Sequence, residues 1–186
     1  MRSAVFIERD GLLNRVRIER GQPRSPLSLE EFQINPAALE PLKALKHAGF
    51  VVLVTTHQPG LSRGTLPRRE LDQMHALLQR TFNLDGILVC PHEAQDACPC
   101  RKPKPGLLME AAFKWHLEID HSFVVSEMWQ DAQAAHVAGC TSLLIRSPWN
   151  GSGHHDFVLE DLSELAAKVM QLHAIHAPDF AMCEAV

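Results

Sequence analysis

The apolar positions of this chain follow two rhythms that alternate along its length. Short unbroken runs have the size and β-branched content of strands: Val5-Phe6-Ile7, Phe50-Val51-Val52-Leu53-Val54, Gly86-Ile87-Leu88-Val89-Cys90, Ser122-Phe123-Val124-Val125 and Thr141-Ser142-Leu143-Leu144-Ile145. The second run, the clearest of them, is apolar throughout with no polar alternation, as expected of a parallel strand covered on both faces. Between the runs, apolar residues recur three and four apart. Leu39, Leu42 and Leu45 do so in a stretch opened by Pro36 and closed by Ala48-Gly49, and Leu71, Met74, Leu77 and Leu78 do so between Arg68 and Thr81. Further helices are expected from Gly106 to about Trp115, from Asp131 to Ala138 and over 157–172.

Strands alternating with helices predict an α/β fold, a Rossmann-like three-layer sandwich whose central parallel sheet has helices on both faces. Residues 1–172 are expected to form one domain and 173–186, which include Cys183, a C-terminal tail. No stretch between the early strands is long enough for a separate cap domain.

Composition narrows the class without naming a chemistry. Apolar residues make up 46% and charged residues 22% of 186, the balance of an ordinary globular chain. The net charge of −4 and the absence of tyrosine argue against a nucleic-acid partner, and no run is long enough to cross a bilayer. With no export signal at the start, and three of five cysteines crowded between Cys90 and Cys100, the expectation is a reduced, cytoplasmic protein in which those cysteines bind metal. A monomer with no membrane partner is expected.

Ligands of parallel α/β sheets bind at the carboxyl ends of the strands, so the residues there carry the candidate chemistry. After the first strand come Glu8 and Asp10, two carboxylates spaced to share a cleft or to form a solvated acidic turn. After the second come Thr56, His57 and Gln58, whose hydroxyl and loop amides can hold a phosphate oxygen. After the third, Cys90, His92, Cys98 and Cys100 supply three thiolates and an imidazole from two tight turns, the ligand set of a structural zinc that staples its loop. Arg101 and Lys102 follow, stiffened by prolines at a helix entrance, as an anion site. After the fourth, Glu127 and Asp131 can face a metal beside the first strand's acids.

Taken in order from about Ala4 to Ile145, these places resemble the haloacid dehalogenase-like superfamily of aspartyl phosphatases. Within it the chain is similar to the D-glycero-D-manno-heptose 1,7-bisphosphate phosphatases and the related histidinol-phosphatase branch. The most specific part is the zinc motif running straight into Arg101-Lys102-Pro103-Lys104-Pro105-Gly106. The resemblance implies Mg2+ held by Glu8, Asp10 and Glu127, with Asp131 behind them, and Zn2+ held by Cys90, His92, Cys98 and Cys100. It implies catalysis by Glu8, Asp10, Thr56 and Lys102 on a small phosphorylated sugar, with Arg9, His57, Gln58 and Arg101 as substrate contacts. Arg15, Arg17 and Arg20 are candidates for a second phosphate.

Two departures bear on rate. Glu8 stands at the family's nucleophilic Asp, and Glu127 at its metal-binding Asp, in Ser126-Glu127-Met128-Trp129-Gln130-Asp131 where the family reads G-D-[KR]-x-x-D. Each added methylene displaces a carboxylate by about 1 Å, enough to cost on the order of a hundredfold in rate. The expectation is a slow phosphomonoesterase working through a carboxyl-phosphate intermediate, with a catalytically silent phosphosugar- or protein-binding relative as the alternative. Histidinol phosphate as substrate is a more remote alternative, and a zinc module for nucleic acid the most remote.

Overall fold

The computed structural model describes residues 2–176. Its centre is a six-stranded, wholly parallel sheet in the order β5-β4-β1-β6-β7-β8, formed by β1 (Ala4–Glu8), β4 (Val51–His57), β5 (Gly86–Cys90), β6 (Phe123–Ser126), β7 (Thr141–Ile145) and β8 (Phe157–Leu159). β1 lies inside the sheet, in register with β4 from Ala4–Val51 to Glu8–Thr55 and with β6 over Val5–Phe123 to Ile7–Val125. Period-two alternation splits its side chains. Val5 and Ile7 join one core with the helices α1 (Leu39–His47), α2 (Arg68–Phe82) and α5 (Leu165–His176), while Ala4 and Phe6 join a second with α3 (Gly106–Trp115) and α4 (Trp129–Ala138). Helices thus cover both faces, the three layers that the unalternating strands predict.

Three details differ from expectation. The segment opening at Phe157 is not helical: it adds the edge strand β8 beside β7, and the last helix begins only at Leu165. That helix continues through His173 to His176, past the expected boundary at 172; the tail beyond it, with Cys183, lies outside the described residues. The stretch after β1, where no strand is expected, forms a small antiparallel hairpin, β2 (Arg17–Glu19) with β3 (Gln22–Arg24). Its strands are three residues each and mostly exposed, so they carry no hydrophobic signal. Among the described residues no helix is long and apolar enough to cross a membrane.

Candidate active site and metal centre

A cavity of about 250 Å³ opens at the carboxyl ends of β1, β4 and β6. Glu8, Asp10, His57, Arg101, Lys102, Glu127 and Asp131 line it, drawn from four separate strand ends. Alternation along β1 sends Glu8 to the α3/α4 side of the sheet, where Lys102 comes in from the loop before α3 and Asp131 from the first turn of α4. Lys102 Nζ contacts Glu8 Oε2 and Asp131 Oδ1, and donates to the Thr55 carbonyl at 3.1 Å. Burial would lower its pKa, but the two carboxylates raise it, so the ammonium stays charged. Burial drives Glu8 the other way, to about 7, with Lys102 opposing the rise. The second Glu8 oxygen, Oε1, accepts from the Arg9 amide at 3.1 Å and weakly from that of Asp10 at 3.5 Å.

Asp10 is the hub of a buried hydrogen-bond network. Oδ1 accepts from Arg9 Nε at 3.2 Å, Arg9 Nη2 at 3.0 Å and Asn14 Nδ2 at 3.0 Å. Oδ2 accepts from Arg9 Nη2 at 3.1 Å, Ser25 Oγ at 2.8 Å and Gln58 Nε2 at 2.8 Å. Burial works against the charge, yet Arg9 and the three neutral donors hold this carboxyl below the usual aspartate range.

This network corrects three expectations. Arg9 is fully buried and does not line the cavity; its guanidinium is stacked 5.7 Å from the Phe32 ring centre with Nη1 at 3.2 Å from His75 Nε2, so it braces Asp10. Gln58, 2% exposed, is spent on Asp10 and on Thr56 Oγ1 at 2.9 Å. Thr56 is fully buried and absent from the cavity wall. His57 does face the cavity, and its Nε2 donates to the His92 carbonyl at 2.8 Å. Arg101 lines it too, with a buried Nη1 that has no partner. Arg15, Arg17 and Arg20 do not line it; Arg17 pairs with Glu19 and Glu31 on the surface. Ser25, Asn14 and His75 escaped the sequence reading. Ser25 comes from the strand-free return of the hairpin, Asn14 four residues past Asp10, and His75 from mid-helix, where nothing in the local pattern marks them.

Glu127 reaches over the first-strand turn. A Cβ at position 11 would lie 2.5 Å from its Oε2, so the glycine there, at φ +92°, is what admits the longer acid. Its pKa is raised by burial. Magnesium requires oxygens about 3 Å apart around one octahedral centre. Among the described residues, however, the one group of three or more His, Cys, Asp or Glu with ligand atoms all within 4.8 Å is the cysteine cluster, not the carboxylates. Glu8 contacts Lys102 and Asp10 is surrounded by its donors, so as arranged Glu8, Asp10 and Glu127 do not bring their oxygens within 4.8 Å of one another.

The cysteine cluster does fit zinc. Cys90 Sγ lies 3.8 Å from Cys98 Sγ and 3.9 Å from His92 Nδ1; Cys98 and Cys100 are 3.5 Å apart, and His92 Nδ1 is 3.2 Å from Cys100. A tetrahedron with Zn–S near 2.3 Å has edges of about 3.8 Å. Cys90 is fixed by β5, and Cys98-Pro99-Cys100 is clamped by Gly106 at the start of α3, where a Cβ would lie 2.3 Å from the Pro99 carbonyl. A zinc ion bound there would supply a closed structural staple, with Arg101 and Lys102 as its immediate continuation.

The chain is similar to known proteins over most of its length. A family model described as HAD-hydrolase-like matches residues 99–165. The D-glycero-beta-D-manno-heptose-1,7-bisphosphate 7-phosphatase of Helicobacter pylori is 33% identical over 153 residues, 78% of this chain and 85% of that protein. The enzyme of the same name from Escherichia coli K12 is 30% identical over 179 residues, 87% and 91% of the two chains. The crystal structure of the D,D-heptose 1,7-bisphosphate phosphatase from B. bronchiseptica, complexed with magnesium and phosphate, superposes with a TM-score of 0.77 at 27% identity, covering 91% of this chain and 98% of that one.

Proposed function

The chain belongs to the D-glycero-beta-D-manno-heptose-1,7-bisphosphate 7-phosphatase family of haloacid dehalogenase-like hydrolases, and from that membership we propose a slow phosphomonoesterase acting on a small phosphorylated sugar of the heptose bisphosphate kind. The enzyme class follows from the relatives; the substrate and the rate are the proposal. The observation that supports it is Glu8 against Lys102 on the wall of an open cleft, with Arg101 beside them.

In this reading Glu8 attacks phosphorus in line, forming an acyl phosphate and expelling the sugar oxygen. Lys102 moves its charge onto a non-bridging oxygen and Arg101 supplies a second donor. Water then cleaves the acyl phosphate, releasing inorganic phosphate and restoring Glu8. Asp10 has to protonate the leaving oxygen and accept a proton from the water. A carboxylate with six hydrogen bonds, two-handed from Arg9, is a reluctant proton carrier, and this is where the reaction is slow. Haloacid dehalogenase-like hydrolases generally use Mg2+; no step here is routed through it, because the acids of this cleft do not close around one ion.

The same saturation of Asp10 favours a second reading, a relative that binds the phosphosugar and does not turn it over. Phosphate release from D-glycero-D-manno-heptose 1,7-bisphosphate, histidinol phosphate and an aryl phosphate decides between them. Release by the native chain above that of Glu8→Ala, and fastest on the heptose, is expected; rates equal to Glu8→Ala on all three would establish the silent binder.

A further inference from the structure

We infer that Gln130 is a specificity-determining residue of this cleft, its side-chain amide reading a hydroxyl on the part of the ligand that is not phosphate. The inference rests on the reading of the cleft as a phosphosugar site and deepens it, but it concerns recognition, not turnover.

Gln130 lies in the first turn of α4 and lines the same cavity as Glu8, Arg101 and Lys102. Its neighbour Asp131 is spent on Lys102 and on Ser126 Oγ, which donates to Oδ2 at 2.9 Å. One residue further back is about 100° round the helix, and Gln130 takes no part in that ion cluster. Its amide forms no hydrogen bond with the described residues, and Oε1 is a buried acceptor without a donor. Such an orphan costs free energy that a ligand can return. The last side-chain torsion of glutamine is soft, so a small turn presents Oε1 to the cavity.

The turn that carries this amide is pinned from behind by the loop that follows β7. Ser147 Oγ and Asn150 Nδ2 donate to the Glu127 carbonyl at 2.9 and 3.0 Å, and the Trp129 amide donates to the Trp149 carbonyl at 3.4 Å. A Cβ at Gly151 would lie 3.2 Å from the Trp129 ring, so the loop sits directly on that side chain. Gln130 is therefore an unspent polar group on a fixed piece of backbone, the arrangement that lowers the cost of ordering a binding group.

The chemistry of the amide selects the occupant. A phosphate dianion carries acceptors only and is drawn to Lys102 and to Arg101, whose Nη1 is likewise buried without a partner. An amide oxygen repels it. A hydroxyl can donate to Oε1 or accept from Nε2. Val16, Pro23 and Met128 add apolar surface to the same cavity and compete for neither role. The ligand that satisfies Gln130 is a phosphoester whose organic part bears hydroxyls; an aryl group gains nothing from it.

The test is Gln130→Met, which keeps the length and removes the amide, in the full, zinc-loaded chain with magnesium chloride present throughout. Urea unfolding is measured without ligand. Binding of D-glycero-D-manno-heptose 1,7-bisphosphate, phenyl phosphate and inorganic phosphate is measured by calorimetry in a Glu8→Gln background, which stops hydrolysis. The unfolding midpoint is expected to rise by about 0.5 M urea as the orphaned acceptor disappears. Affinity for the heptose is expected to fall about tenfold, and affinity for the other two to change less than about twofold. A midpoint that falls overturns the inference, because the fold then needs the amide. So does an unchanged heptose affinity, an equal loss on all three ligands, or a heptose that does not bind with Gln130 in place. Failure of the phosphatase reading looks different: the heptose binds and is weakened as described, but the chain with Glu8 intact releases no phosphate.

Discussion

The Cys/His cluster and the acidic cleft lie side by side, each built from residues that resemble metal ligands, and among the described residues only those of the first bring three or more ligand atoms within 4.8 Å of one another. Cys90, His92, Cys98 and Cys100 come from one strand end and one tight turn, so short chain segments fix their mutual distances and little else has to be right. Glu8, Asp10 and Glu127 come from the ends of two strands and meet only through side-chain length. Glu8 meets Lys102, while Glu127 lies against Gly11. A site made from contiguous chain has its distances set locally, whereas one made from converging strand ends depends on the reach of each side chain.

Removing one zinc ligand is the severest way to probe this contrast. Cys100→Ser should abolish stoichiometric zinc, measured by metal analysis, and lower stability by several kcal/mol, since structural zinc binding is itself folding free energy. Because Arg101 and Lys102 continue directly from Cys100, phosphate binding should be lost with it. A variant that keeps full stability and phosphate affinity without zinc would show that α3 and Gly106, not the metal, hold the loop.

Within the cleft, Lys102→Met should cost about 3–5 kcal/mol in urea unfolding, because Glu8 and Asp131 are left buried without their cation. Glu8 can relieve part of this by taking a proton, its pKa already standing at about 7. The loss should therefore be smaller at pH 6 than at pH 8. Phosphate release should vanish. A loss below about 1 kcal/mol would mean the triad is solvated and contributes as a surface pair does.

How far the sequence could be read follows the same division. The five unbroken apolar runs became the five inner and flanking strands β1, β4, β5, β6 and β7, because burial on both faces leaves a continuous hydrophobic signature. The edge strand β8 was hidden because Phe157-Val158-Leu159 abuts a helical pattern and is covered less completely. The clustering of Cys90, His92, Cys98 and Cys100 was legible from spacing alone, since short segments fix their distances. In the cleft, residue types were legible but roles were not. Arg9 lies between two acids in the sequence, where it resembles a substrate contact. Only the tertiary packing of Phe32 and His75 shows that it points inward. Ser25 and His75 carry no local signal, because the fold and not the chain brings them to Asp10 and to Arg9; Asn14 meets Asp10 four residues on, through the turn after β1.

His75 offers the mildest and most selective test of how rigidly Asp10 is held. Its Nε2 faces a permanently charged guanidinium, so it must accept and the imidazole must stay neutral; burial and Arg9 lower its pKa to about 4. The unfolded chain binds this proton near pH 6.5 and the folded chain only near 4, so the contribution of His75 to stability falls as pH drops through that window; the opposite contribution of Glu8, raised to about 7, is common to native chain and variant and cancels between them. The slope is at most about 1.4 kcal/mol per pH unit, giving a loss of about 2 kcal/mol between pH 7 and pH 5. Asp10 does not contribute there, because a depressed carboxyl loses its stabilising charge only below the ordinary aspartate range. His75→Gln keeps an acceptor for Arg9 and removes the titration. Acid loss of zinc is common to both proteins and cancels in the difference. Urea unfolding at pH 7, 6 and 5 should therefore show the variant losing less stability than the native chain, by up to that amount. Parallel curves would mean that His75 is free to turn to solvent and take its proton, and that the brace behind Asp10 is looser than its hydrogen bonds imply.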